Sequence, residues 1–412
     1  MKRSRSKVEQ LKAGGVPLAV AFSAWLHPAA AAEWSATPRL NVSTEVNSNI
    51  RLTTADHDTV FGLIPEVGAV LRRATEINTL EFEPTVRVPR YWGEENLDYE
   101  AYGLRFGARH QLERLEMGLD ANYRRDSTLA TELETTGRVQ RQLAVDSVRV
   151  GPSLTYLVTE RDRVDLGYDY NRVTYEEAVA SGLQDYTYHV ADATYTRDLS
   201  ETTKGFATFS YSRFDVDDDL NPIVDPRNVI DSSSATDAYA LIGGFQGQNE
   251  RASGSAYAGL RYAVTTQEDL FGREQEDSGV GSLFGFSAAY QFLDGRTIWR
   301  GSFDRSVDPS GDGTQVSRDQ WRTGLSHRFT ERLNAELGFR YLETSTAQTG
   351  GNDRTYLAGD ATMRYFLDPY WSVYARYQHA EQSFESAIDD SAEQDLVAVG
   401  LSYGGRKWSV SR

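Results

Sequence analysis

The side chains able to do chemistry are few and scattered. The sequence holds six histidines, His27, His57, His110, His189, His327 and His379, and no cysteine. Without cysteine there are no disulfides and no thiolate metal sites. A serine hydrolase needs a nucleophile, a histidine within hydrogen-bond reach and an acid that orients it. The segment HAEQS brings His379, Glu381 and Ser383 together in sequence, but neighbours along one short segment define no triad. Two acidic runs offer oxygen ligands to a hard cation: Asp215, Asp217, Asp218 and Asp219, and Asp308 with Asp312 in DPSGDG. Neither has the calcium-loop pattern that closes on Glu. No GxxxxGK[ST], GxGxxG or HExxH element occurs. The expectation is a chain with no catalytic residue, no metal and no cofactor, hence not an enzyme.

What positions the remaining polar residues is a pattern of alternation. The chain has 412 residues, a formal net charge of -17 and a mean hydropathy of -0.52. The acidic balance argues against nucleic acid as a partner. No apolar run reaches the roughly 18 residues of a membrane helix. Low mean hydropathy has two sources, a soluble protein or a membrane barrel whose strands alternate lipid-facing and water-facing residues.

Residues 1–32 have the build of a secretory signal. Lys2, Arg3, Arg5, Lys7 and Lys12 form a basic start, VPLAVAFSAWL from Val16 to Leu26 is the apolar core, and Ala30-Ala31-Ala32 is the cleavage site. Glu33 then opens the mature chain. Its removal takes five basic residues and the single acid Glu9, so the mature chain is more acidic still. No cysteine follows the site, so a lipoprotein anchor is not expected.

From Pro38 onward short turns alternate with segments of about ten residues that have period two, the period of a strand. In LNAELGFRY, Leu333, Ala335, Leu337, Phe339 and Tyr341 share one side, while Asn334, Glu336, Gly338 and Arg340 share the other. Leu115–Tyr123, Val164–Tyr170 and Val397–Tyr403 repeat the pattern. Short turns are expected at 74–76, 112–114, 160–163, 201–204, 248–251, 294–296, 330–332 and 368–369. Longer polar loops are expected at 53–58, 93–98, 127–142, 176–184, 215–236, 266–281, 307–316, 346–354 and 381–393. Alternating short and long connections are those of a transmembrane antiparallel up-and-down β-barrel, with turns on the periplasmic side and loops outside. The count gives about 18 strands (16–18) over residues 33–412, with 404–412 a short C-terminal tail. An even number places both ends in the periplasm. A propeller would need a four-stranded repeat with similar loops on both faces.

The apolar side would face lipid, with aromatic girdles from Trp34, Tyr91, Trp92, Tyr156, Phe292, Trp321, Phe329, Tyr365, Phe366 and Trp371. The polar side would line a lumen. Its candidates are Glu81, Glu83, Arg87, Arg105, Arg109, Glu116, Asp120, Arg124, Asp165, Asp169, Arg261, Arg300, Glu336, Arg340 and Arg376, with Arg149, Asp304, Arg322, Asp360 and Arg364 of the same parity. Eighteen strands leave an aqueous channel, and charged rings in such a lumen can select solutes. The 215–236 segment, with Pro222, Pro226, Leu220, Ile223, Val224 and Ile230, is a candidate constriction.

The opening WSATPRLNVSTEVNSNIRL, followed by VFGLIPEVGAVLRR, resembles the first hairpin of outer-membrane β-barrel porins found among exopolysaccharide-related genes. The units LERLEMGLDANYRRD, TERDRVDLGYDYNRV and TERLNAELGFRYLET are similar to that family too. The resemblance implies passive or gated passage of a hydrophilic solute or polysaccharide across the outer membrane. Lipid, lipopolysaccharide and the barrel-insertion machinery are then the expected partners. The alternatives are an adhesive or structural barrel that binds an outside partner through its loops, and a barrel hydrolase. Such barrels usually end on an aromatic residue. Here Tyr403 has the lipid-facing parity, and Trp408 gains it only if Gly404-Gly405 forms a bulge.

Overall fold

A strand that alternates apolar and polar residues is satisfied when each side meets a different medium. The computed structural model describes residues 32–132, 137, 142–176, 182–216, 234–268, 274–292, 295–311, 313–346, 353–385 and 391–411. Among these residues twenty strands form a single antiparallel sheet that closes on itself. They are β1 (Glu33–Asn47), β2 (Val60–Ala74), β3 (Asn78–Arg87), β4 (Arg90–Trp92), β5 (Ala101–Gln111), β6 (Leu115–Ser127), β7 (Ala144–Leu157), β8 (Asp162–Tyr175), β9 (Tyr186–Asp198) and β10 (Thr203–Val216). Then follow β11 (Ser234–Gln248), β12 (Ala252–Glu268), β13 (Glu274–Phe292), β14 (Thr297–Pro309), β15 (Gln315–Arg328), β16 (Leu333–Thr346), β17 (Arg354–Phe366), β18 (Trp371–Phe384), β19 (Ser391–Gly404) and β20 (Trp408–Ser411).

Two pairs of these are single wall strands. Pro89 has no N–H to give and interrupts the ladder between β3 and β4. The register carries through unchanged, with Gly68 opposite Thr85 before the break and Leu63 opposite Arg90 after it. β19 and β20 both pair with β1. The wall thus has eighteen positions. The barrel closes where β1 meets β19, with Val42 opposite Leu401.

The expected tail at 404–412 is instead largely wall. Arg39 faces Gly404, but Ala36 faces Trp408, so one extra residue sits on the C-terminal side. That is a bulge. Gly405 N–H donates to the Pro38 carbonyl at 2.8 Å, and a side chain there would strike Pro38. The bulge resets parity, so Trp408 and Val410 face outward beside Trp34.

Short turns lie where the alternation places them, and a side-chain oxygen closes several. Asn249 Oδ1 accepts from the N–H groups of Arg251 and Ala252, Thr330 Oγ1 from Arg332 and Leu333, and Asp368 Oδ1 from Tyr370 and Trp371. This is the local chemistry that favours Asn, Asp and Thr in turns. The strands themselves run past the expected length, mostly to 13–15 residues. The loop expected at 266–281 is the largest departure. Thr265 to Gln267 pair with Asp277 to Gln275, while β14 joins β13 only from Phe284 to Phe292. Residues 274–283 therefore stand as a ribbon with β12. Outside lipid a ladder needs backbone partners and no apolar side, so polarity alone reads it as a loop.

Among the described residues no apolar core fills the middle of the barrel. Large apolar side chains such as Leu241, Leu260 and Leu337 stand outward and exposed. The buried clusters sit at the loop end: Val145, Val173, Tyr175, Leu183, Tyr186, Phe214 and Val216 in one, and Ile50, Val60, Leu97 and Leu129 in the other.

Candidate solute pathway

Directly opposed residues of an antiparallel pair point to the same side of the sheet. Following the register around the wall collects the charged candidates on one surface. Glu81, Glu83 and Arg87 of β3 lead to Arg105 and Arg109 of β5, then to Glu116, Asp120 and Arg124 of β6. Asp165 and Asp169 of β8, Arg261 of β12, Arg300 of β14, Glu336 and Arg340 of β16 and Arg376 of β18 continue it. Contacts that skip strands identify this surface as the concave one. Arg87 reaches Asp126 past β5 at 2.9 Å, and Arg39 reaches Glu83 past β2 at 3.8 Å. Tyr257 donates to Asp304 past β13, and Arg261 to Gln315 past both β13 and β14. A chord is shorter than the arc only inside the curve.

Glycines on this surface let side chains lie flat across the neighbouring strand. The Tyr374 ring covers Gly400, Tyr257 covers Gly285 and the Asp192 carboxylate covers Gly167. On the β6–β9 side the charges pair. Arg149 is held by Asp169 through Nε at 2.5 Å and Nη2 at 2.6 Å, Arg163 by Asp165 at 2.8 Å, and Arg109 by Glu116 at 2.7 Å. Arg105, Asp120, Arg149, Asp169 and Asp192 border a recess of about 570 Å³. These pairs are half in water, where each contributes about 1 kcal/mol or less.

The outer end is narrowed by contacts that sequence reading missed. After β6 comes a single helical turn, α1 (Thr128–Thr131), with Ser127 Oγ accepting from Leu129 N–H as its N-cap. Glu132, buried, accepts from the Tyr175 hydroxyl at 2.8 Å. Gly137, at φ +70°, accepts from Gln382 Nε2 at 3.0 Å, and the same amide donates to Leu52 at 2.5 Å. Arg354, 2% exposed, donates through Nε to Gln382 Oε1 at 3.1 Å. Gln184 N–H donates to Gly311 at 2.7 Å, joining the β8–β9 and β14–β15 connections. β6 and β18 stand six wall positions apart, so Gly137, which meets Gln382, lies across the mouth from β6. Gln382 and Arg354 have the same parity as the wet lumen residues, and parity carries no information about depth. The segment expected to constrict, 215–236, lies outside the described residues over 217–233, as does the signal over 1–31. In the connection after β4, Tyr99 packs under Arg87, and burial pushes its phenol up to about 12.

The outer surface repeats a diagonal pair near the loop end. Tyr123 donates to Asp146 at 2.7 Å, Tyr211 to Asp237 at 2.5 Å and Tyr377 to Asp395 at 2.7 Å. Each acid lies two residues beyond the tyrosine's direct partner. The ring thus lies against apolar neighbours and the hydroxyl reaches the polar rim, the placement of an interfacial aromatic. Two expected girdle residues belong inside. Tyr91 lies over Gly62 and donates to Glu45, and Phe366 shares the side of Ser372. Closeness to a strand end does not fix parity.

The sites of imagined chemistry are differently arranged. His379, Glu381 and Ser383 all face outward, and His379 Nδ1 pairs with Asp395 of β19 at 3.0 Å. Asp308 accepts from the Ser306 hydroxyl and pairs with Arg318 at 3.5 Å, while Asp312 lies outside the described residues. Among the described residues no three His, Asp or Glu side chains are grouped as metal ligands.

No family model and no curated protein matches the sequence. Solved structures are similar at low identity. One is OccK5 (OpdH) of Pseudomonas aeruginosa, at TM-score 0.46 and 10% identity, covering 92% of this chain and 98% of that one. Another is the FrpB iron transporter of Neisseria meningitidis (F5-1 variant), at TM-score 0.49 and 9% identity, covering 91% and 82%. A third is the copper transporter OprC, at TM-score 0.45 and 13% identity, covering 89% and 65%.

Proposed function

We propose that this chain is an outer-membrane channel of a Gram-negative cell that passes a hydrophilic solute. One observation carries the reading: a closed eighteen-position barrel has large apolar residues on its convex side and charges with glycines on its concave side. A protein in water has no use for a continuous apolar exterior around a polar interior, whereas a bilayer requires it. Eighteen strands enclose room for water and a solute. The resemblance of the hairpin units to exopolysaccharide-associated porins supports a saccharide as that solute. Lipopolysaccharide would then meet the Tyr–Asp rim, and the insertion machinery would meet the outward Trp408.

The test is migration of the outer-membrane fraction with and without boiling, followed by planar-bilayer recording. A heat-dependent shift with stepwise conductance is expected. A shift without conductance would favour the adhesive reading, for which the segments crossing the mouth are the supporting observation. Recovery as a soluble periplasmic protein with no shift would refute the membrane reading.

A further inference from the structure

We propose that the wall has a side port between β13 and β14, through which the tail of a single-chain amphiphile reaches the lumen from the outer leaflet. This rests on the membrane reading of the barrel and adds a second class of molecule to it. The first observation is an unfinished seam. The β13–β14 ladder runs from Phe292 opposite Thr297 up to Phe284 opposite Arg305, and stops. Both strands continue, β13 through 274–283 and β14 through 306–309. In the same register Leu283 would face Ser306, and Ser282 would face Val307. Among the described residues no backbone hydrogen bond joins them there. The sequence explains the parting. Pro309 has no N–H for a ladder, and Gly279 and Gly281 weaken the strand it would meet. A Cβ at Gly285, inside the ladder, would lie 2.8 Å from the Phe303 carbonyl oxygen of β14, whereas one at Gly281 or Gly279 meets nothing within 4 Å.

The parting begins at the outer rim. Arg125, Arg213 and His379 each stand two residues beyond an outward tyrosine and directly opposite an aspartate, Asp146, Asp237 and Asp395 in turn. Arg305 repeats the position. It stands two residues beyond Phe303 and directly opposite Asp319, with its guanidinium 5.1 Å from the Phe284 ring centre. An open sheet edge is not left in hydrocarbon, but it is tolerated at the level where tails meet head groups and water.

The second observation is the lining behind the seam. Phe206, Ile242 and Leu283 point inward, where the wall elsewhere carries charge. Thr208, Ile242, Gly259 and Leu283 are directly opposed in one row across β10 to β13, so Ile242 and Leu283 face each other over a residue with no side chain. Phe206 lies beside them, over Gly244. The three border a recess of about 440 Å³ that extends to Arg305, Ser306 and Val307. Successive residues of a strand point to opposite sides, so a recess that meets all three reaches the open edge of β14 and not one side alone. Its size is at the small end for ligand sites, roughly 300–1,000 Å³, which suits one acyl chain and not two. The apolar patch takes the tail out of water, and the head group stays at the rim.

The test uses the full-length protein in liposomes and palmitate with a mid-chain diazirine, compared with a two-chain diazirine phosphatidylcholine. Adducts formed on illumination are assigned to residues by mass spectrometry. Palmitate adducts are expected on inward Phe206 and Ile242 as well as on outward Leu241 and Leu260, and phosphatidylcholine adducts on the outward pair only. The chain has no cysteine, so Ser282→Cys with Val307→Cys can be bridged by a short bifunctional methanethiosulfonate. Bridging should lower the inward adducts several-fold, and reduction should restore them. Leu283→Asn should lower them too, with the outward adducts unchanged. Heat-dependent migration like that of the parent shows that each variant is an intact barrel. Outward adducts without inward ones, or inward adducts indifferent to the bridge, overturn the port. Loss of outward adducts as well refutes the membrane reading and the port with it. Bilayer conductance judges the channel reading separately: bridge-sensitive inward adducts without conductance refute the channel and leave the port standing.

Discussion

Arginine and glycine carry most of the meaning at the scale of single residues. An arginine on the concave surface contributes little to stability, because water and a partner both reach it, so its substitution should be read in selectivity. A glycine there is structural wherever a neighbour occupies its missing side chain. Gly259 is the sharpest case. A Cβ on it would fall within 3 Å of the Leu241 carbonyl oxygen and of Ile242 Cα, both backbone atoms that cannot swing aside. Gly259→Ala should therefore cost about 1–3 kcal/mol, the usual price of overpacking. The check is the temperature at which the folded band is lost in unboiled samples, which should fall. Gly279→Ala, with open space around it, should leave that temperature unchanged.

The crossing segment after β6 is the decisive element. Gln382 holds its Gly137 carbonyl and also bonds Leu52 and Arg354. Gln382→Ala leaves two buried carbonyls and a buried guanidinium without this partner, at about 1–3 kcal/mol for each group left unsatisfied. The wall strands do not depend on that side chain. The expected outcome is a larger single-channel conductance and faster proteolysis of the 128–143 connection, with heat-dependent migration unchanged. If conductance and proteolysis both match the parent, the segment does not limit the mouth. The same separation of wall from decoration explains the 274–283 ribbon, whose strands continue beyond the neighbours that would close them in.

For the whole molecule, closure depends on the first and last strands finding each other. β1 pairs with β2 along its full length and with β19 and β20 on its other edge. The bulge at Gly405 lets Trp408 join the outward side with Tyr403 and Trp34. Trp408→Ser should reduce the fraction recovered in the outer membrane and raise the periplasmic fraction several-fold, as an interfacial anchor is lost. Fractionation followed by immunoblotting measures this directly. Normal recovery would place the insertion signal at Tyr403 alone.

The wall was legible in the sequence because a strand in a bilayer has no freedom about which residues alternate. LNAELGFRY, LEMGLDANY and VDLGYDY state their two sides outright, and the lengths of the connections state which end is which. Parity likewise carries Arg340 and Asp169 to one surface without any knowledge of the neighbours. Three things were decided only by the closed barrel. Whether Arg149 is cancelled by Asp169 while Arg376 rests on Gln378 depends on which strand lies alongside, and that is a matter of register. The burial of Arg354 and Gln382 depends on a segment arriving from six strands away. The outward turn of Trp408 depends on a one-residue bulge against Pro38. In each case the cause is a contact between residues far apart in the chain, and local alternation carries no record of it.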